Sequence, residues 1–269
     1  LRMSAVKTYA LENNLRVLQP TNLKNEDFID ELTALKANLQ IVVAFRMLPE
    51  VVWKQAKLGT FNLHASLLPQ YRGAAPINCA IINGEKRTGV TTFFIDDKID
   101  TGEIILQKKV KIKKKDTAGE LHDRLMEVGA HLVLKTVKKI EKGTVRTKKQ
   151  LNNEASHAPK IFKDTCRIDW NQSGKKVYNH IRGLSPYPGA WTLLDNGGQQ
   201  TEMKLLKVER VKEKHAHETG TLHSSKNQLL IAIRKGYLNV LELQLAGKRK
   251  MTITDFLNGF SFDENAKLL

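Results

Sequence analysis

FNLHASLLPQYRGAAPINCAIINGEKRTGVTTFFIDDKIDTGE, residues 61–103, decides the class of the fold. Asn62-Leu63-His64 ends a strand-like run, and a repeat of two places Asn62 and His64 on one side of it, so that an amide and an imidazole point together. Ser66-Leu67-Leu68-Pro69 and then Arg72-Gly73 stop the strand and make a loop. Ala75 to Ile82 reads as a short helix closed by Asn83-Gly84. Gly89 to Ile95, β-branched and aromatic, is a second strand. It runs into Asp96-Asp97-Lys98-Ile99-Asp100-Thr101-Gly102, a turn with three carboxylates. A loop between strand and helix in an α/β chain is where ligands bind. If the two strands are neighbours, one carboxylate of the turn lies beside His64.

A lone histidine at a strand end is commonly a structural hydrogen-bonder. An amide, an imidazole and a carboxylate together suit acyl transfer to an amine: two donors for an oxyanion and a base for the ammonium proton. No Ser or Cys nucleophile is required. FNLHASLLPQYRGAAPI followed by GVTTFFIDDKIDTGEII resembles the folate-dependent formyltransferases. That resemblance implies that Asn62, His64 and Asp100 are catalytic and that Ser66, Leu67, Leu68 and Pro69 contact the folate. Met47 and Leu48 fall in a loop that borders the same pocket in the family, although Arg46-Met47 departs from its usual sequence. Asp96 and Asp97 read as solvated turn residues. The resemblance also implies that the sequence opens inside the nucleotide-fold domain, without a first strand, its helix, a second strand and a basic loop.

Around this stretch, 269 residues leave room for two cores, and 41% hydrophobic with 27% charged residues excludes a disordered or membrane-embedded chain. No apolar run nears the roughly 20 residues of a membrane-spanning helix, and no secretory leader pattern is present. Cys79 and Cys166 stand apart without metal-ligand spacing, so no metal and no disulfide is expected, and the reading is cytoplasmic. The net charge of +16 is the outlier. Residues 1–146 hold 24 basic against 16 acidic side chains and residues 147–269 hold 20 against 12, so the positive field spans both parts. A polyanionic partner explains it.

Towards the N-terminus, Val6 to Asn13 reads as a helix, Arg16 to Pro20 as a short strand, and Asn25 as the cap of a helix with Glu26 and Asp27 in its first turn. Gln40 to Phe45 is nearly continuous apolar sequence, which predicts a central strand covered on both faces. Pro49 is placed to open a helix through Lys57. Towards the C-terminus, Ile104 to Ile112 is an edge strand studded with lysines. Thr117 and Glu120 form a capping box for a long helix that stops at Gly143. Residues 1–146 are thus an α/β, Rossmann-like catalytic domain and residues 147–165 a linker. Residues 166–269, a helix after Ser173 and then short strands between turns, predict a small antiparallel β-barrel.

Ile168-Asp169-Trp170 and the IRGLSPYPGAW run, residues 181–191, resemble the C-terminal domain of the same family, an OB-like barrel used for tRNA. On that resemblance Lys160 and Lys163 of the linker, with Arg72, are expected to contact tRNA. Tyr187 and Trp191, beside Pro-Gly turns, read as core packing. The function implied is transfer of the formyl group of 10-formyltetrahydrofolate to the amine of methionyl initiator tRNA, by a monomer. Two alternatives stay open: the same chemistry on a small acceptor or water, and an RNA-binding protein without catalysis. The charge speaks against the first and the Asn-x-His and IDTG motifs against the second.

Overall fold

The computed structural model describes residues 3–44 and 47–269. Its contacts divide the chain into two compact units, Leu1–Asn62 and Leu63–Leu269. Phe45 and Arg46 lie outside the described residues.

The first unit holds α1 (Ala5–Glu12), α2 (Glu26–Ala34), β1 (Gln40–Val43), α3 (Glu50–Trp53) and most of β2 (Thr60–His64), a strand that runs on into the second unit. Asn25 caps α2 by accepting the Phe28 N–H at 3.0 Å, and Glu26 and Asp27 sit where the helix dipole favours them. Residues 16–20 join no ladder; the run ends in Pro20, which has no N–H to offer one. Among the described residues β1 is paired on one side, by β2, and Ile41 and Val43 are 45% and 58% exposed. Pro49 is the cap of α3, which ends after one turn instead of reaching Lys57. The Thr60 hydroxyl meets the Trp53 carbonyl at 2.6 Å, a carbonyl that a longer helix would use itself.

The second unit continues with β3 (Arg72–Gly73), α4 (Pro76–Ile82), β4 (Arg87–Phe94), β5 (Ile104–Lys111), α5 (Ala118–Glu141) and β6 (His157–Ala158). From the end of β2 the sheet passes to β4 and then β5, the last two antiparallel with Val90 opposite Lys108. The Thr117–Glu120 capping box is formed. It starts a 24-residue helix whose Leu121, Leu125 and Leu132 pack with Ile81 and Val90. Lys108, Lys109 and Lys111 point outward from the edge. At the other end of β5, Ile104 bridges to Lys148, so the expected linker begins by lying along this strand.

The chain then forms α6 (Gly174–Leu184), β7 (Ala190–Asn196), β8 (Gln199–Val211), β9 (Leu222–Ser225), β10 (Gln228–Ile233), β11 (Gly236–Leu245), β12 (Met251–Thr252), α7 (Ile253–Leu257) and β13 (Lys267–Leu268). Strands run β13-β7-β8-β11-β10-β9, with β12 on β11. Thr221, just ahead of β9, bridges Lys267 of β13, and the Leu268 N–H donates to the Gly220 carbonyl at 3.1 Å. The two ends of the sheet therefore meet, and the antiparallel barrel closes around Ile181, Leu205, Ile231 and Leu238. Trp170 joins this core, its indole N–H donating to Thr192 Oγ1 at 3.0 Å.

Helices α4 and α6 pack closely because Gly183 has no side chain; a Cβ there would stand 2.6 Å from Ile82 Cγ1. Beside them Arg182, buried, donates to the Asp116 carbonyl at 2.9 Å, while Arg124 Nη1 reaches the Asp116 carboxylate at 3.1 Å. Burial alone would raise the Asp116 carboxyl, but Arg124 and the Lys113 N–H outweigh it and hold it below its ordinary value. A carboxyl depressed on folding stabilises fully above its unfolded value, about pH 4, and that contribution fades as pH falls through the folded value. Asp116→Asn is therefore expected to cost about 1–3 kcal/mol at neutral pH. The gap from the parent should narrow below about pH 4, as read by urea unfolding over a pH series.

Candidate active site

His64 ends β2 and is buried. Its Nε2 lies 2.8 Å from the Tyr71 carbonyl. A carbonyl only accepts, so Nε2 carries the hydrogen and Nδ1 is left to face Asp100 Oδ2 at 3.7 Å. The proton that converts this imidazole to imidazolium is therefore added on the side of the carboxylate. Asp100 is equally buried, at 7% exposure, which keeps bulk water from the pair.

Two left-handed backbones create this geometry. Tyr71 has φ +60° and Asp100 φ +56°. An aspartate accepts that region readily, but a tyrosine is strained there and must be held. The Tyr71 N–H donates to Ser156 Oγ at 2.9 Å, and its buried phenol donates to Glu85 at 2.9 Å and accepts from Asn83 at 3.2 Å. Burial, with Glu85 adding to it, pushes that phenol up to about 12. The turn in turn aims the Gly73 N–H at Asp100 Oδ2, 2.7 Å away. Gly73 has φ +117°, and a Cβ would stand 2.6 Å from the Ala158 carbonyl oxygen, so only glycine lets β3 pair with β6.

The loop after His64 is equally fixed. Thr91 Oγ1 on β4 donates to the Ser66 carbonyl at 2.7 Å and accepts the Leu68 N–H at 3.2 Å, while Gln107 of β5 donates to the Leu68 carbonyl at 2.8 Å. Ser66, Leu68 and Pro69 are buried, Leu67 is half-buried, and Ser66 spends its hydroxyl on the Gln70 carbonyl at 2.6 Å. Beside the loop lies a cavity of about 340 Å³ lined by Leu67, Pro69, Gln107, Lys109 and Gln150 among others. Asn62, the last residue of the first unit, is buried, and its Oδ1 has no partner among the described residues. An unpaired buried amide oxygen costs about 1–3 kcal/mol, and this oxygen can only accept from a donor. Also in the first unit, Leu48 is half-buried and Met47 is 68% exposed.

Among known families, the description "Formyl transferase" matches residues 2–137 and "Formyl transferase, C-terminal domain" matches residues 160–261. The chain is 55% identical over 269 residues to the methionyl-tRNA formyltransferase of Flavobacterium johnsoniae, covering 100% of this chain and 85% of that protein. The chain belongs to the methionyl-tRNA formyltransferase family. The formyltransferase of Parabacteroides distasonis is 53% identical over 267 residues, covering 97% of this chain and 82% of the relative. Among solved structures, HypX of Aquifex aeolicus in complex with tetrahydrofolic acid is similar with a TM-score of 0.67 and 22% identity. The match covers 89% of this chain and 42% of HypX, and shows a shared formyltransferase fold.

The three residues expected to meet tRNA are placed differently from one another in this formyltransferase. Lys160 is exposed, its ammonium 5.5 Å from the centre of the Phe162 ring. Lys163 is exposed too, paired with Glu202 at 2.7 Å and 5.4 Å from the Trp191 ring centre. Arg72 is not on the surface: it is 7% exposed, and its guanidinium donates to Gln150 at 2.8 and 3.1 Å and to Asn152 at 3.1 Å. It braces the interior through these bonds. Trp191 packs against the barrel core as expected, its N–H donating to the Lys163 carbonyl at 2.8 Å. Tyr187 does not pack; it is 83% exposed. Sequence reasoning missed Tyr71, Gly73 and Gln150, whose contributions come through backbone groups or through a partner far along the chain.

Proposed function

We propose that this chain transfers the formyl group of 10-formyltetrahydrofolate to the amino group of methionine on initiator tRNA. The reading rests on the buried approach of His64 Nδ1 to Asp100 Oδ2 in a chain that carries both formyltransferase domains. The folate supplies the formyl carbon. Asn62 and His64, same-side positions of one strand, hold the formyl oxygen as it takes up negative charge under attack by the amine. Asp100 faces the imidazolium and receives the proton the amine sheds. That proton passes to N10 of the folate as the C–N10 bond breaks and the amide bond stands complete. Ser66, Leu67, Leu68 and Pro69, with Met47 and Leu48, hold the folate; the loop after His64 serves through its rigid backbone and the Leu67 face rather than through the Ser66 hydroxyl.

The proposed organisation is a catalytic domain over residues 1–146, a linker over 147–165 and a barrel over 166–269 that holds the acceptor arm, acting as a monomer in the cytoplasm. Lys160 and Lys163 contact its phosphates. Lys160→Ala is expected to weaken tRNA binding and to reduce the slope of log K against log salt by about 0.9, read by filter binding between low and moderate salt; an unchanged slope removes Lys160 from the phosphate contacts. The decisive test of the function is incubation of the full chain with 10-formyltetrahydrofolate and charged initiator tRNA, scored for formyl-methionine. Absence of product, beside a relative that makes it, sinks the reading.

A further inference from the structure

We infer that Gln150 is the positioning residue for Asp100, a role that rests on the function proposed above. The Gln150 amide is saturated. Its Nε2 donates to the carbonyls of Asp100 at 2.9 Å and Gly102 at 2.8 Å, and its Oε1 accepts from Arg72 Nη2 at 2.8 Å and Nε at 3.1 Å. Both hydrogens and both lone pairs are used. The two carbonyls that converge on one NH2 group flank the turn in which Asp100 takes its left-handed backbone, so the amide fixes the direction from which the carboxylate leaves the chain. The far side of the turn is closed by Gly102, where a Cβ would stand 1.7 Å from the Phe94 carbonyl oxygen.

The same amide reaches the carboxylate by a second route. Arg72, which grips Gln150 Oε1, is followed directly by Gly73, whose N–H holds Asp100 Oδ2 at 2.7 Å. One buried guanidinium–amide pair therefore governs both the carbonyl of Asp100 and the oxygen that faces His64. Gln150 itself belongs to residues 147–165, outside the α/β elements that carry the motifs, and is placed by the neighbouring bridge of Lys148 to Ile104.

Gln150→Glu separates positioning from simple bracing. Glutamate keeps an acceptor for Arg72 and adds charge to it, but loses both donors and sets an anionic oxygen against two carbonyls. The turn is then pushed from Gln150 while the Arg72 contact survives. Displacement of a reacting group by an ångström costs up to about 100-fold. The expected result is kcat lowered by about 10- to 100-fold with KM for folate and for tRNA unchanged and the thermal midpoint near that of the parent. Gln150→Met, close in shape and without polar atoms, serves if the glutamate variant does not fold; it lowers the thermal midpoint by leaving Arg72 and two carbonyls unpaired, but kcat is again expected to fall with both KM values unchanged. Parental kcat overturns the inference, as does a loss in which kcat falls and KM for both substrates rises along with a loss of thermal stability. Should the parent chain itself formylate nothing, the functional reading fails instead, and the inference is decided by the ¹⁵N chemical shifts of the His64 ring. Those shifts move in Gln150→Glu if Asp100 has turned away, and stay in place if Gln150 does not position it.

Discussion

Asp100→Asn is expected to lower turnover by about 10²- to 10⁴-fold, the range lost when a positioned acid–base group is removed. The substitution leaves the framework intact. Asparagine adopts φ near +56° at least as readily as aspartate, and its amide oxygen still accepts the Gly73 N–H that now reaches Oδ2 at 2.7 Å. What disappears is the negative charge 3.7 Å from His64 Nδ1 and the capacity to take a proton. Single-turnover formylation should reveal the loss, while folate affinity by titration calorimetry stays within about twofold of the parent, since the effect belongs to the transition state. Turnover close to the parent would remove Asp100 from the mechanism.

Asn62→Ala is expected to cost about 10²- to 10³-fold in kcat, the loss seen when one oxyanion donor is deleted. Its companion expectation concerns stability. Among the described residues Asn62 Oδ1 is buried without a partner, so the truncation breaks no described hydrogen bond at that atom and relieves an unsatisfied acceptor. Denaturant unfolding should give a midpoint equal to or above that of the parent. An activity loss that simply follows a fall in stability would mean that Asn62 is structural.

The elements that carry their own instructions were legible. β2, α4, β4, β5 and α5 follow from strand alternation, a capping box and glycine stops, and the barrel strands from short runs between turns, because each signal lies within a few residues of the element it shapes. The single turn of α3 depends on its neighbours, and no local pattern records it. The same division runs through the site. A strand period pairs Asn62 with His64, but choosing among three carboxylates took either the family resemblance or coordinates. In the fold Asp96 accepts from the Lys98 N–H at 3.1 Å and from the Thr101 hydroxyl at 2.7 Å, closing the turn, while Asp100 faces the imidazole. The burial of Arg72 was not legible, because its partners, Gln150 and Asn152, lie 78 and 80 residues further along. Tyr187 read as buried because aromatic rings beside Pro-Gly turns commonly pack a core, and here the ring is 83% exposed.

The pairing of β3 with β6 carries a consequence for biogenesis. Residues 72–75 and 156–158 are stitched together, and with them the turn that orients His64, so the reacting groups cannot be set until residues 156–158 have left the ribosome. Until then the Arg72 guanidinium has none of the acceptors it holds in the finished fold. Such long-separation contacts form slowly. A nascent chain halted near residue 146 would carry every motif of the catalytic half and still be inert, so the enzyme comes alive only once its own connecting segment has been made.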